Sequence, residues 1–177
     1  MQQIINAIEE QIKMHLKKYT AEIDLLKTIP GMGDTTASIT LAEIGANMNQ
    51  FPTDMHIASW AGLSPGNNES AGKKKSSQIT PGNKNLKASL IQAAWAASSK
   101  KGSYWYSKYR KLRFKLGTKR AIIAIARKML ITCYHMLKKK RTYKELGANY
   151  VDKKASDRIK KYYVRQLQKL GCNVSIT

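Results

Sequence analysis

Leu26-Lys27-Thr28-Ile29-Pro30-Gly31-Met32-Gly33-Asp34-Thr35-Thr36-Ala37 is the stretch that decides how the chain folds. Before it, Ile4, Ile5, Ile8, Ile12, Leu16, Tyr19, Ile23 and Leu26 recur every three to four positions and predict one long amphipathic helix. Pro30 and Gly31 stop that helix. A second begins after Gly33, with Asp34 as its expected N-cap, and runs through Ile39, Leu41 and Ile44 to Gly45. The two glycines allow a tight turn with outward N–H groups, and the second helix aims its partial positive charge at the same spot. This is the pattern of a helix-hairpin-helix, which holds a backbone phosphate without reading a base. Gly31, Gly33 and Thr35 are its candidate contacts. A plain interhelical turn needs the same Gly and Asp, so the charge of the whole chain has to weigh between the two.

That charge is large. The 177 residues hold 32 Lys+Arg against 11 Asp+Glu, a formal net charge of +21. Residues 1–72 carry four basic and eight acidic side chains, residues 73–177 carry 28 and three, and no carboxylate falls between Lys73 and Lys144. So basic a surface repels itself unless a polyanion neutralises it, which points to nucleic acid. The cations are spread over several elements rather than along one amphipathic helix, which argues against a membrane surface. Two-metal nucleases need clustered carboxylates to hold cations about 4 Å apart, and here the acids are scattered. No metal ligand is therefore assigned in this chain. A hydrophobic content of 42% rules out a wholly disordered chain, and the length suits one domain with an appendage. Cys133 and Cys172 lie too far apart for a metal knuckle, and a reducing, cytoplasmic and nucleoid-associated location is expected. The start lacks the basic n-region of a signal peptide, and the most apolar window, 121–137, contains Arg127 and Lys128, so no membrane span is expected.

Beyond Gly45 the periodicity stays helical. Thr53 is the expected cap of a short helix carrying Ile57 and Trp60, and Leu86, Leu90, Ala94 and Ala97 form the face of another. Ser103 should cap a helix whose Trp105, Tyr109 and Leu112 face the core. Thr118 should cap the most apolar helix, with Ile122, Ile125, Met129, Cys133 and Met136 as its main face, and a last helix should run from about 155 to 170 and end at Gly171. Residues 63–84, rich in Ser, Gly, Asn, Pro and Lys, form a long basic loop with room for a short hairpin around 73–80. The expected fold class is all-α, a helical bundle containing a helix-hairpin-helix.

Lys73, Lys74 and Lys75 in the loop, Lys84 and Lys87 after it, and Arg110 and Arg113 in the aromatic-basic stretch 104–113 are candidate contacts to a nucleic-acid backbone. His15, His56 and His135 lack the companions of a metal site or a triad. A loop serine beside three lysines could attack a phosphodiester, the cations stabilising the pentacovalent transition state. Spacing supplies no base, so the residues alone do not choose among Ser64, Ser70, Ser76 and Ser77.

Ile29-Pro30-Gly31-Met32-Gly33, Ala42-Glu43-Ile44-Gly45, Phe51, Ala61-Gly62-Leu63-Ser64-Pro65, Ser70-Ala71-Gly72 and Gly82-Asn83-Lys84-Asn85-Leu86-Lys87 follow one another in a recognisable order. Over residues 25–100 the chain resembles the C-terminal domain of the insertion-sequence transposases that join a RuvC-like nuclease domain to a serine-bearing domain. Bridge-RNA-guided recombinases and pilin invertases are of this kind. The resemblance implies DNA strand exchange through a transient serine–DNA link, and the family's serine falls on Ser70. Two departures stand out: Ala71-Gly72 replaces the frequent Gly-Gly or Gly-x, and Leu86-Lys87 replaces Leu-Arg, losing a bidentate donor.

The partners implied are DNA, a structured guide RNA, a RuvC-like domain of the same protein or another chain, and further copies in a homo-oligomer. The RuvC-like domain, with its divalent metal (Mg), should precede residue 1. The chain is then expected to be the serine-bearing part alone, a truncated gene product or an expressed fragment. Residues 1–26 would be a connecting, coiled-coil-like helix, 27–144 the transposase C-terminal domain, and 145–177 a basic helical extension. Alone it should bind nucleic acid without recombining it. Two readings of other classes stand beside this one: a non-catalytic binding module with an inert serine, and a basic RNA-binding assembly protein.

Overall fold

The computed structural model describes residues 1–66, 68–71, 73–76, 79 and 81–170, with backbone alone at 13, 68, 69 and 73–76. In chain order these form α1 (Gln2–Leu16), α2 (Thr20–Lys27), α3 (Asp34–Ile44), α4 (Asp54–Trp60), β1 (Asn68–Ser70), β2 (Lys73–Ser76), α5 (Lys84–Ser99), α6 (Tyr104–Leu116), α7 (Thr118–Lys139) and α8 (Tyr150–Lys169). Short 3-10 turns lie at Lys17–Tyr19 and Met48–Gln50. The chain is mainly helical, as the periodicity predicts. Among the described residues no helix is long and apolar enough to cross a membrane.

The most apolar run becomes the axis of the bundle. α7 packs against α2, α4, α5 and α6. Its expected face of Ile122, Ile125, Met129, Cys133 and Met136 is buried, and Ala126, Leu130, Tyr134 and Leu137 widen it. Each such aliphatic side chain contributes about 1.5–3 kcal/mol by leaving water, against about 0–1 for an exposed ion pair, so apolar contact sets the arrangement. Burial pushes the Cys133 thiol up to about 12, which makes it a core residue without reactivity. Trp105 and Tyr109 are buried and Leu112 half-buried against the same core, as expected.

Several expected boundaries shift. The first helix is broken by the 3-10 turn at Lys17–Tyr19, and only its last residues, Ile23 and Leu26, enter the core. The isoleucines of α1 (Ile4, Ile5, Ile8, Ile12) stay exposed, since no other element among the described residues covers them. Asp34 is the first helical residue rather than the cap, which is Gly33, because Lys27 holds its carboxylate at 2.6 Å. Gly117, with φ +77°, caps α7 in place of Thr118. Thr53 does precede α4, but its hydroxyl meets His56 Nδ1 rather than a backbone amide. Ser103 caps α6 as expected, accepting from the Tyr106 N–H. The hairpin spans 68–76 instead of 73–80, since Ala71 turns left-handed directly after β1 and Ser70 pairs with Lys73. The last helix starts at Tyr150, five residues early, because Asp152 pairs with Lys111 and Tyr150 packs edge-on against Tyr104. Gly171 and Cys172 lie outside the described residues.

The two glycines of the α2–α3 turn are not equivalent. Gly31 has φ +84°, and a Cβ there would stand 2.5 Å from both the Ala93 carbonyl oxygen and the Ala97 nitrogen of α5. Gly33 has an ordinary φ of −83° and open space around it. Gly31→Ala should therefore lower stability by roughly 2–4 kcal/mol, from a left-handed backbone and a clash with a helix backbone, while Gly33→Ala stays within about 0.5 kcal/mol. Denaturant unfolding of the two variants checks this, and equal losses would contradict the asymmetry.

Candidate functional site

After Leu63, which is still in the core, the described residues 64–66, 68–71, 73–76, 79 and 81–82 leave the bundle as an arm pinched at its root. A Cβ on Gly82 would lie 2.3 Å from the Gly62 nitrogen, so the two ends of the arm touch backbone to backbone. Asn83 accepts from the Leu86 N–H at 2.9 Å and so caps α5. Its amide donates to Glu43 near the end of α3, and Asn85 donates to the other oxygen of the same carboxylate at 3.3 Å. Glu43 thus staples the return of the arm to α3. Farther out Pro65 bridges Ile79, and β1 pairs antiparallel with β2.

Ser70 sits at the tip, opposite Lys73, exposed and directly before Ala71. Ala71 has φ +50°, a left-handed conformation that costs a non-glycine residue about 1–2 kcal/mol. Ser64 is a different kind of residue: half-buried at the root, with its oxygen 3.3 Å from that of Ser59. The side chains of Lys73, Lys74, Lys75 and Ser76, and all of Ser77, lie outside the described residues.

The α2–α3 turn stands at the other end of α3, ten residues or about 15 Å from Glu43. Gly31, Gly33 and Thr35 are exposed there, and no side chain caps the α3 N-terminus. The Lys27 ammonium holds the Asp34 carboxyl below the usual carboxylate range and is itself raised by it, so the pair is present at neutral pH and is lost only in acid below that range. A groove of about 500 Å³, with Ile39, Ala42 and Ala88 on its walls beside Thr35, Glu43 and Asn85, runs between α3 and α5 and joins the turn to the arm root. Lys84 is exposed at the start of α5 and Lys87 half-buried one turn on. Arg110 and Arg113 are exposed on α6, apart from this groove, with Arg110 over the Tyr106 ring. The structure therefore gathers the turn, Lys84 and the arm along α3 and α5, and leaves the α6 arginines elsewhere. The histidines find unexpected neighbours: His135 Nε2 lies 3.3 Å from Asp54, and His56 meets Thr53. Among the described residues no group of three or more His, Cys, Asp or Glu could hold a metal ion.

Residues 23–110 match the model of the IS116/IS110/IS902 transposase family. This chain carries an IS116/IS110/IS902-family transposase domain. The match begins in α2 and ends in α6, so it takes in the turn, the α3–α5 groove and the whole arm. An uncharacterized 43.6 kDa protein of insertion element IS110 from Streptomyces coelicolor is 31% identical over 135 residues, 75% of this chain and 32% of that protein. Pilin gene-inverting proteins of Moraxella bovis and Moraxella lacunata are each 34% identical over 122 residues, 67% of this chain and 38% of theirs. The chain thus spans about a third of the length of the curated relatives it matches.

The Glu43 staple escaped the sequence reading, although Ala42-Glu43-Ile44-Gly45 and Gly82-Asn83-Lys84-Asn85 both carried the family resemblance. Nothing local to either motif says that one grips the other. A hydrogen bond to a buried or half-buried carboxylate contributes about 1.5–3 kcal/mol, so Glu43→Ala should loosen the root. Amide hydrogen exchange across the arm should speed up roughly tenfold or more while exchange in α7 stays put. Equal acceleration in both would show a global effect and contradict the staple.

Proposed function

We propose that this chain is the serine-bearing, DNA-binding part of a transposase that exchanges DNA strands, with Ser70 as the nucleophile. The observation that carries the reading is the position of Ser70. It is an exposed hydroxyl at the tip of a rooted arm, inside the segment matched by the transposase family. Such an arm can carry a nucleophile to a scissile phosphate bound elsewhere while its root stays on the bundle. In the reaction Ser70 Oγ forms a bond to phosphorus and gives up its proton to a base. The bond from phosphorus to one flanking sugar oxygen breaks, and that oxygen leaves as a hydroxyl. The DNA is then held as a phosphodiester on Ser70, and attack by another strand's hydroxyl reverses the step on a new partner.

Lys73, Lys74 and Lys75 follow the serine in sequence and supply cations for the charge that develops on the phosphorane. The uncapped α3 N-terminus with Gly31, Gly33 and Thr35 is the second anchor, read as the phosphate-binding side of a helix-hairpin-helix. Lys84, Lys87, Arg110 and Arg113 add backbone contacts. The carboxylates and divalent metal of a RuvC-like domain, outside this chain, would supply the base, and a guide RNA would select the strands. The uncovered isoleucines of α1 support its reading as part of a longer coiled coil in a homo-oligomer.

Binding to duplex DNA should fall steeply with salt, with a log–log slope of about −5 or steeper, measured by fluorescence anisotropy between roughly 50 and 300 mM. A flat response would remove the electrostatic reading. Joined to a RuvC-like domain and given nucleic-acid partners, the protein should form a covalent adduct with DNA. Ser70→Ala should abolish it with DNA affinity nearly unchanged, and Ser64→Ala should retain it. A Ser70→Ala protein that still forms the adduct sinks the assignment, and wild-type binding with no adduct favours the non-catalytic module.

A further inference from the structure

Two adjoining cavities lie where α8 crosses α6 and α7. The larger, about 860 Å³, is lined by Lys108 and Lys111 of α6, Arg127 and Lys128 of α7, and Lys154 and Arg158 of α8. The smaller, about 400 Å³, continues to Lys139, Arg141 and Lys144. Tyr104, Lys128, Ile131, Tyr150 and Lys154 border both, so the two make one groove.

Three of the four acids nearby are already engaged. Asp152 pairs with Lys111 and pins the first turn of α8 to α6. Glu145 accepts from the Tyr104 N–H at 2.8 Å and the Gly147 N–H at 3.0 Å, capping α6 and shaping the segment that leads into α8. Asp54 faces His135. Asp157 borders the larger cavity and makes no ion pair among the described residues. The carboxylates thus close the groove more than they neutralise it. Lys108 is half-buried, and both burial and the neighbouring Lys128, Lys154 and Lys111 hold its ammonium below its usual range. Arg127 Nε is buried without a hydrogen-bond partner among the described residues.

We propose that this groove binds a single strand of nucleic acid by its phosphodiester backbone, at a site separate from the arm. The proposal rests on the nucleic-acid reading above and deepens it. Converging cations with few acids need a polyanion, and the ligand must be long. Lys154, Arg158 and Lys161 follow one face of α8 over seven residues, about 10 Å, which matches repeated charges better than one small anion. A recess of about 860 Å³ between helices suits the slim backbone of one strand better than a duplex, whose major groove alone is about 12 Å wide. Leu112, Ile131 and Val151 give the walls apolar surface for bases.

The test compares the full chain with two triple variants, Lys108→Gln/Lys128→Gln/Lys154→Gln in the groove and Lys73→Gln/Lys74→Gln/Lys75→Gln in the arm. Probes are labelled oligothymidylate, oligouridylate and a DNA duplex, each about 20 nucleotides long. The groove variant should lose about tenfold or more in single-strand affinity and about 2 in the salt slope, with duplex affinity held within about twofold. The relative loss for oligothymidylate and oligouridylate tells whether DNA or RNA is the strand held. Wild-type single-strand affinity in the groove variant overturns the proposal and leaves the broader reading intact, as does an equal loss for duplex and single strands. Wild-type protein that binds no nucleic acid removes both. Should the groove variant not fold, photocrosslinking of thiouridine- or thiothymidine-bearing strands to the wild type decides. Adducts on 104–112, 124–131 or 150–161 support the site, and adducts confined to other segments overturn it.

Discussion

The packing of α5 against α7 is the constraint on which the other contacts depend. Both helices present faces of aliphatic residues and alanines, and buried small residues let helices approach closely and gain many weak dispersion contacts. Once α5 is held there, its backbone at Ala93 and Ala97 becomes a surface against which the α2–α3 turn must fit. Only a residue without a Cβ passes at 2.5 Å, so Gly31 is a packing requirement before it is anything else. The start of α5 is equally constrained, because Asn83 and Asn85 have to meet Glu43. Turn and arm are therefore located by the same pair of helices, at opposite ends of α3.

A second theme is how few carboxylates there are and where they stand. Glu22 receives Lys140 at 2.6 Å, Asp34 pairs with Lys27, Glu43 grips the arm root, Glu145 caps α6 and Asp152 pins α8. Each ties one element to another. The cations they leave over are concentrated on the arm, on α6 and around the α6–α7–α8 groove, where mutual repulsion favours any polyanion that can enter. Assembly of the fold and preparation of the nucleic-acid surfaces are in this sense one event, since acids used as staples no longer screen the lysines beside them.

Much of the architecture was legible in the chain. The α7 face from Ile122 to Met136, the core role of Trp105 and Tyr109, and the Ser103 cap follow from local period and local hydrogen bonding. The misplaced boundaries have a common cause. Asp34 and Asp152 act through distant or cross-turn lysines, and Tyr150 through Tyr104, so partners from other elements moved the ends. The hairpin was displaced because Ala71 adopts a left-handed turn that its side chain alone does not advertise. The candidate serines were equivalent as letters and became distinct only in space, Ser64 half-buried at the root and Ser70 exposed at the tip.

Periodicity, turn chemistry and charge are properties of neighbours along the chain, and from them alone came a mainly helical fold, a tight glycine turn after α2, and a strongly basic surface suited to a polyanion. Tertiary structure decided which glycine is indispensable, what anchors the arm, and that Lys108, Lys128 and Lys154 line one groove. The reason is geometric. Those three lysines sit on three helices up to 46 positions apart, and only the packing of apolar faces brings them together. No pattern read along one helix carries the position of the other two.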